Sequence, residues 1–365
     1  MLILTLNCGS SSIKFAVYQS KGQKQLTTGY QENILSITSY RSSLKQIINE
    51  TSPDAIGHRV VHGGMLTTSS LITPFVMNEI KRYSHYAPLH NPPELLGITI
   101  CKKHFGHLPQ VAVFDTAYHT TIPSPVRTYG IPYKYTKKGY MKYGFHGTSH
   151  HYCATEAAKL LGKPLSSCNL ITCHLGNGSS VCAIKGGKSV DTSMGMTPLD
   201  GVLMGTRCGM LDPGIVLAFL EQEKLSVKQV DHLLNHSSGM KGVSGISHDY
   251  RALKYNKHPR AKLVREMLAI SLQKIIASYL PALQRVDAII FTAGIGEHVP
   301  ELRKDIALGL GFLGVKLDDR KNKRNAPIIS KATSPIKVFV IKTDEQHLIA
   351  HEVERVLKQH TAKRR

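Results

Sequence analysis

At 365 residues, 42% hydrophobic and 19% charged, the chain is long for one core and suits two domains. No window approaches the ~18 uninterrupted apolar residues of a membrane span. The 46 Lys+Arg against 25 Asp+Glu give a formal charge of +21, a balance open to nucleic acid, a membrane surface or anionic small substrates. The basic residues are scattered, with only short runs such as Arg320-Lys321-Asn322-Lys323-Arg324 and Lys363-Arg364-Arg365. Neither an RNA-binding aromatic signature nor zinc-finger spacing accompanies them, so no nucleic-acid partner is expected. Cys8, Cys101, Cys153, Cys168, Cys173, Cys182 and Cys208 form no CxxC pair, which fits reduced thiols in a cytoplasm rather than a disulfide framework.

The chain opens on Met1-Leu2-Ile3-Leu4-Thr5-Leu6, which has no basic leader and breaks at Asn7. It reads as a buried strand rather than a signal peptide. Asn7-Cys8-Gly9-Ser10-Ser11-Ser12 then turns the chain, and Ile13-Lys14-Phe15-Ala16-Val17-Tyr18 returns as the second strand of a hairpin. Val111-Ala112-Val113-Phe114 is a short buried strand ending at Asp115, and a helix is expected over 151–161. A second hairpin follows: 169–175 leads into Gly176-Asn177-Gly178-Ser179-Ser180 and returns through Val181-Cys182-Ala183-Ile184-Lys185. Helices over 214–222 and 260–279, a strand over 287–292 running into Gly294-Ile295-Gly296, and a helix over 345–359 complete the pattern. Alternation of this kind argues an α/β architecture with functional residues in the loops at strand ends. The two similar hairpins, half a chain apart, suggest two related domains.

Small residues in the two turns let backbone amides approach a phosphate, with hydroxyls and Lys14 or Lys185 as further donors. Taken singly, each turn reads first as a plain hairpin, because Asn-Gly tips are ordinary hairpin chemistry, and it is the duplication that favours phosphate. Gly187-Lys188-Ser189 resembles the end of a P-loop, but that pattern requires Gly at 182, where Cys182 stands. Gly294-Ile295-Gly296-Glu297-His298 follows a strand like a dinucleotide fingerprint but lacks the third glycine; it is kept as a nucleotide-contacting loop. The histidines of His146-Gly147-Thr148-Ser149-His150-His151 fit no zinc spacing. Arg59 and Arg207 sit among glycines, where a guanidinium suits phosphate or carboxylate oxygens, or ties a loop down by bonding its carbonyls.

Taken together, these segments resemble the acetate kinase family, among the actin/hexokinase-like kinases. The ordered set comprises 7–14, 57–64, Ala87-Pro88-Leu89-His90-Asn91-Pro92, Val113-Phe114-Asp115-Thr116-Ala117-Tyr118-His119, 143–150, 174–180, 204–209, 292–297 and Thr343-Asp344-Glu345. The resemblance implies two similar ribonuclease H-like α/β domains with the active site in the cleft between them. Their expected extents are 1–147, completed by the helix 345–365, and 148–344, the nucleotide-binding domain.

The implied activity is reversible, in-line phosphoryl transfer from ATP to acetate, giving acetyl phosphate and ADP, with Mg²⁺ (or Mn²⁺) as cofactor. A cytoplasmic homodimer is implied as well; propionate kinase with the same mechanism is the alternative reading, and a non-catalytic anion- or nucleic-acid-binding relative, motivated by the net charge, is the further one. Asn7 and Glu345 would hold the metal. Ser10, Ser12 and Lys14 would lie by the phosphates, as would His174, Leu175, Gly176, Asn177 and Gly178. Asp249, Tyr250, Arg251 and Gly294, Ile295, Gly296, Glu297, His298 would receive the nucleotide. Asp115, His146, Arg59 and Arg207 would be catalytic. Val61, Leu89, His90, Phe145 and Pro198 would join Arg59 around the acyl substrate. The chain departs from the family pattern at His298, usually Asn, at Met210, commonly acidic, and at Gln346, often a second Glu. It is also shortened between Tyr18 and Gly57, where a trimmed helix or strand away from the chemistry is expected.

Overall fold

The computed structural model describes residues 1–20, 24–34 and 36–362. Lys363, Arg364 and Arg365, the end of the expected C-terminal helix, lie outside the described residues, as do parts of the shortened stretch after Tyr18. The chain divides into two compact units. One comprises Met1–Thr120, Phe145–Tyr152 and Asp344–Arg365; the other comprises Thr121–Gly144 and Cys153–Thr343.

In the first unit the strands are β1 (Leu2–Cys8), β2 (Ile13–Gln19), β3 (Lys24–Gln31), β4 (Ala55–Val60), β5 (Ser70–Leu71) and β6 (Gln110–Phe114). They form one sheet in the order β3-β2-β1-β4-β6-β5. β1 and β2 pair antiparallel with Asn7 opposite Lys14 and Cys8 opposite Ile13, so the expected hairpin forms with residues 9–12 at its tip. β1, β4 and β6 run parallel, which brings Asn7, Arg59 and Asp115 to the same end of the sheet. Both faces are covered, as parallel strands require. Leu4, Leu6, Ile13 and Ile56 pack with Leu44 and Ile48 of helix Ile37–Thr51. On the other face Ile3, Ala16 and Val113 meet Ile349 and Val353 of helix Glu345–Ala362. Gly57 permits that contact, since a Cβ there would lie 2.6 Å from Val353 Cγ2. The stretch between Tyr18 and Gly57 thus still carries both β3 and a helix.

In the second unit β7 (Asn169–Leu175), β8 (Ser179–Lys185), β9 (Lys188–Thr192), β10 (Ala288–Thr292) and β11 (Lys337–Val340) follow the order β11-β10-β7-β8-β9. Antiparallel pairing joins β7 to β8 and β8 to β9, and parallel pairing joins β7 to β10 and β10 to β11. The same sequence of pairings runs through β1, β2, β3, β4 and β6. Even the irregularity in the third strand pair recurs, at Val17/Tyr18 and at Ala183/Ile184. The hairpin similarity read from the sequence is therefore the visible trace of a repeated whole sheet.

Gly186 and Gly187, with φ of 57° and 79°, form the two-residue turn between β8 and β9. This is ordinary hairpin chemistry and accounts for the P-loop-like Gly187-Lys188-Ser189. The second core gathers Ile171, Cys173, Val181 and Phe291 with Val264, Leu268 and Leu272 of helix Pro259–Ser278. All seven cysteines are free, and all but Cys208 are buried. Among the described residues, no helix is long and apolar enough to cross a membrane.

Two boundaries differ from expectation. The helix expected from 151 begins at Gly147, because Thr148 and Ser149 turn inward to be buried. The glycine loop after β10 is a short helix, Ala293–His298. Ala293 has a φ of 64°, and Glu297 Oε1 accepts the Ala293 N–H at 2.9 Å, which closes that turn.

Candidate functional site

In the first unit the parallel strand ends assemble a charged cluster. Arg59 is the penultimate residue of β4, and Asp115 follows β6 directly. Arg59 Nη2 donates to Asp115 Oδ2 at 2.7 Å and Nε reaches the same oxygen at 3.2 Å. Arg59 Nε also lies 3.7 Å from Glu345 Oε2. Thr148 donates its hydroxyl to Asp115 Oδ1 at 2.7 Å, and the Gly147 N–H donates to the Asp115 carbonyl at 3.0 Å. Burial works against the Arg59 charge, but the carboxylates of Asp115 and Glu345 outweigh it and hold the guanidinium above its ordinary pKa. His146 adopts a φ of 59°, a left-handed conformation that costs a non-glycine residue on the order of 1 kcal/mol.

Val61 and His62 continue from β4, and their amides are gripped from one helical turn. Glu94 Oε2 accepts the Val61 N–H at 2.9 Å, and Asn91 Oδ1 accepts that of His62 at 3.0 Å. Phe145 is buried with its ring edge on His62 at 5.6 Å. His90 precedes helix Asn91–His104 at its N-cap, and Leu89 is exposed. Asn7 is half-buried and its side-chain amide has no hydrogen-bond partner among the described residues, while Ser10 and Lys14 are exposed at the hairpin tip. Ser12 closes that tip by accepting the Gly9 N–H at 2.8 Å.

Asn7 and Glu345 offer one carboxamide oxygen and one carboxylate, hard donors suited to a cation that keeps several waters and phosphate oxygens. Among the described residues no group of three or more His, Cys, Asp or Glu could hold a metal by itself. An all-protein cage is not what such a cation needs, so these two donors are compatible with a hard divalent cation.

The second unit contains a cavity of about 600 Å³ lined by Gly176, Asn177, His248, Asp249, Tyr250, Arg251, Lys254, Gly294, Ile295, His298 and Val299. This lies within the range of small-molecule sites. The second hairpin tip and the segment after β10 contribute to one wall each, as the parallel ends of β7 and β10 require. Asp249 is the cap of its short helix and is bonded through Oδ2 to Arg251 Nη2 at 2.6 Å, which lowers its pKa, the side-chain bond contributing most. His298 is 71% exposed at the rim. Gly296 packs against Phe291 and Leu175, and Glu297 Oε1 faces the Ala293 and Thr343 amides, so neither lines the cavity. Leu175 is buried; His174 and Gly178 flank the hairpin tip without lining the cavity.

Arg207 lies in the same unit as this cavity. Its Nη1 donates to the Pro198 carbonyl at 3.2 Å, and among the described residues no carboxylate is within 4 Å of it. Burial alone pulls its pKa down. Of the two sequence alternatives for Arg207 the structure shows the loop tie, through one nitrogen, and among the described residues the cation has no carboxylate partner. Gly205 admits Asn177, whose Oδ1 a Cβ at 205 would overlap, and the Gly205 N–H donates to the Asn177 carbonyl at 3.2 Å.

Three residues in these sites were missed from sequence. Thr148 lay inside a recognised motif but carries no charge to draw attention. Asn91 and Glu94 act through backbone amides, which leave no pattern in a sequence.

A model of the acetokinase family matches residues 36–351. The acetate kinase of Thermoanaerobacterium thermosaccharolyticum is 44% identical over 396 aligned residues, covering 98% of this chain and 99% of that one. Among solved structures, Porphyromonas gingivalis acetate kinase superposes with a TM-score of 0.90 at 34% identity, over 98% of this chain and 99% of that one. A propionate kinase from Francisella tularensis subsp. tularensis SCHU S4 gives a TM-score of 0.90 at 39% identity, over 97% and 99%. The two sheets of common topology are accordingly those of a two-domain actin/hexokinase-like kinase fold.

Proposed function

The chain belongs to the acetokinase family, and from that premise we propose that it is a phosphotransferase with a carboxyl acceptor, moving a phosphoryl group reversibly between ATP and acetate. The observation that carries the reading is the Arg59–Asp115–Glu345 cluster, with the buried Val61 two residues along the chain from Arg59 and the buried Phe145 against His62. A fork-shaped cation flanked by a small apolar wall suits a short carboxylate. Arg59 binds the acyl carboxylate, Arg207 and His146 neutralise charge on the transferring phosphoryl oxygens, and Asp115 orients Arg59. His90 and Leu89 belong to the same acyl subsite. The second unit's cavity takes the nucleotide, with Asn177, Gly176 and Gly294 giving close backbone approach.

Asn7 and Glu345 hold Mg²⁺, which when bound supplies charge neutralisation on the phosphate oxygens. Catalysis then rests on positioning and electrostatics rather than on covalent chemistry by the protein. Incubation with ATP, acetate, Mg²⁺ and hydroxylamine should yield acetohydroxamate; no acyl hydroxamate from any short carboxylate would overturn the reading. A chirally labelled γ-phosphate should be transferred with inversion, and retention would point to an enzyme-bound intermediate instead.

The likeness to a propionate kinase supports a second acceptor. One methylene in an apolar pocket is worth only about 1–3 kcal/mol, so propionate is turned over as well, with Val61 setting the preference. A homodimer is supported by helix Pro213–Glu221, Pro-Gly-Ile-Val-Leu-Ala-Phe-Leu-Glu, which is apolar yet has no buried residue. Its Leu217 is 56% exposed, and Met210, three residues before the helix, is 72% exposed; exposed apolar side chains of this kind are what an interface covers. Sedimentation should give twice the chain mass.

A further inference from the structure

Glu94 stands out among groups that the proposed chemistry does not use. It lies in the first turn of helix Asn91–His104, is 3% exposed, and spends Oε2 on the Val61 N–H at 2.9 Å. Together with Asn91, it fixes two consecutive peptides immediately after Arg59. The helix packs closely on β1 at this level, because Gly97 lies against Cys8, where a Cβ would be 2.6 Å from Sγ. An amide side chain could hold the same N–H without burying a charge, whereas an ionised carboxyl at this depth bears the desolvation of its charge.

The groups facing Glu94 are Arg59 on β4, Asp115 after β6, Cys8 on β1 and Tyr40 on helix Ile37–Thr51. Arg59 is already shared by Asp115 and Glu345. With one cation and two carboxylates the cluster already carries a net charge of −1, and a third carboxylate would deepen it to −2 where an anionic acyl group has to bind.

We propose that Glu94 is a positioning residue of the acyl-carboxylate subsite, holding the Val61 wall through its peptide and keeping its own proton so that Arg59 remains available to an anion. The inference rests on the acyl-kinase reading and adds to it a residue and a condition. Burial first, and the nearby Asp115 charge in addition, push the Glu94 carboxyl up to about 8 against the pull of Arg59 and the Val61 N–H, in accord with a neutral acid in the working protein.

The test is steady-state kinetics of the full chain with ATP and acetate from pH 6.5 to 9, for wild type, Glu94→Gln and Glu94→Ala. In the wild type KM for acetate should rise about ten-fold across that interval as Glu94 ionises, with KM for ATP little changed. Glu94→Gln, which can still accept the Val61 N–H, should match the wild-type KM at pH 6.5 and stay flat to pH 9. Glu94→Ala should raise KM for acetate about ten-fold at pH 6.5, with kcat changed much less, because the Val61 peptide loses its anchor. If Glu94→Ala does not fold, the pH profile of Glu94→Gln decides alone. A flat wild-type profile that Glu94→Gln merely copies overturns the inference while leaving the kinase reading intact. Absence of acyl-kinase activity in the wild type overturns both.

Discussion

The Thr148 hydroxyl donates to Asp115 Oδ1 at 2.7 Å, which pins the first turn of the helix beginning at Gly147 to the end of β6. Arg59 occupies the other carboxylate oxygen, so Asp115 is oriented from both sides. Thr148→Val keeps the shape and deletes the donor. A hydrogen bond to a charged, buried group is worth about 1.5–3 kcal/mol. The variant should lose about that much stability in urea titration and about ten-fold or more in kcat, and Thr148→Ser should restore both. A wild-type kcat in Thr148→Val would show that Asp115 needs no orientation from this side.

Arg59 and Arg207 should respond oppositely to loss of charge. Arg59 is paired with the Asp115 carboxylate, their side chains being 15% and 1% exposed. Arg59→Met would strand a buried charge at a cost of about 3–5 kcal/mol, read as a fall of several degrees in Tm. Arg207 has no carboxylate among the described residues and burial disfavours its charge. Arg207→Met should therefore leave the Tm of the ligand-free protein unchanged or slightly raised. Both variants should lose about 10³-fold or more in kcat/KM, the scale of an arginine at a transferring phosphoryl group. Equal destabilisation by the two would contradict the assignment of Arg207 as an uncompensated cation.

The legible part of this protein was its periodic part. The apolar runs 2–6, 111–114 and 288–291 alternate with turn residues clearly enough to give strands, and the repeated Gly/Ser turn gave the duplication. Arg59, Asp115 and Glu345 were legible through motif resemblance, and the parallel register of β1, β4 and β6 explains why distant segments meet. Glu94 and Thr148 were not, since their partners are a backbone amide and a residue 33 positions away. The segment 293–298 read as a loop from its glycines, yet Glu297 folds back on the Ala293 N–H and makes it helical. Side-chain to backbone closure of this kind overrides local glycine content and leaves no periodic signal.

Stability should be bounded on both sides by buried titratable groups. Glu94 holds its proton in the folded state up to about 8, against an ordinary 4.5. Its contribution is full below the unfolded value and is lost as pH rises towards 8. His58, bonded to Gln110 at 3.2 Å, is pulled down by burial to about 4, and His62 to about 3. Their contribution is full above the unfolded value near 6.5 and is lost as pH falls. Urea midpoints should thus peak near pH 6 to 7. Glu94→Gln should gain on the order of 3 kcal/mol over wild type at pH 8 and nothing at pH 4.5. His58→Asn should flatten the acid limb only. A wild-type midpoint still rising from pH 6 to 8 would contradict the burial of a neutral Glu94.

Acceptor preference should follow the space beside Val61. This side chain is 4% exposed and its peptide is fixed by Glu94, so shortening it creates room rather than moving the wall. Val61→Ala should raise the propionate-to-acetate ratio of kcat/KM about ten-fold, within the 1–3 kcal/mol that one methylene commands in an apolar pocket. Its cost in stability should be about 1–3 kcal/mol, that of a small core cavity. The ratio is independent of how much enzyme is correctly folded, so partial destabilisation cannot imitate the result. If Val61→Ala lowers both activities equally, Val61 supports the fold of the strand end and something other than its side chain sets acyl length. If the ratio shifts, the β4 continuation carries the acyl wall two residues beyond the arginine that binds the carboxylate, and one strand end then recognises both ends of the substrate.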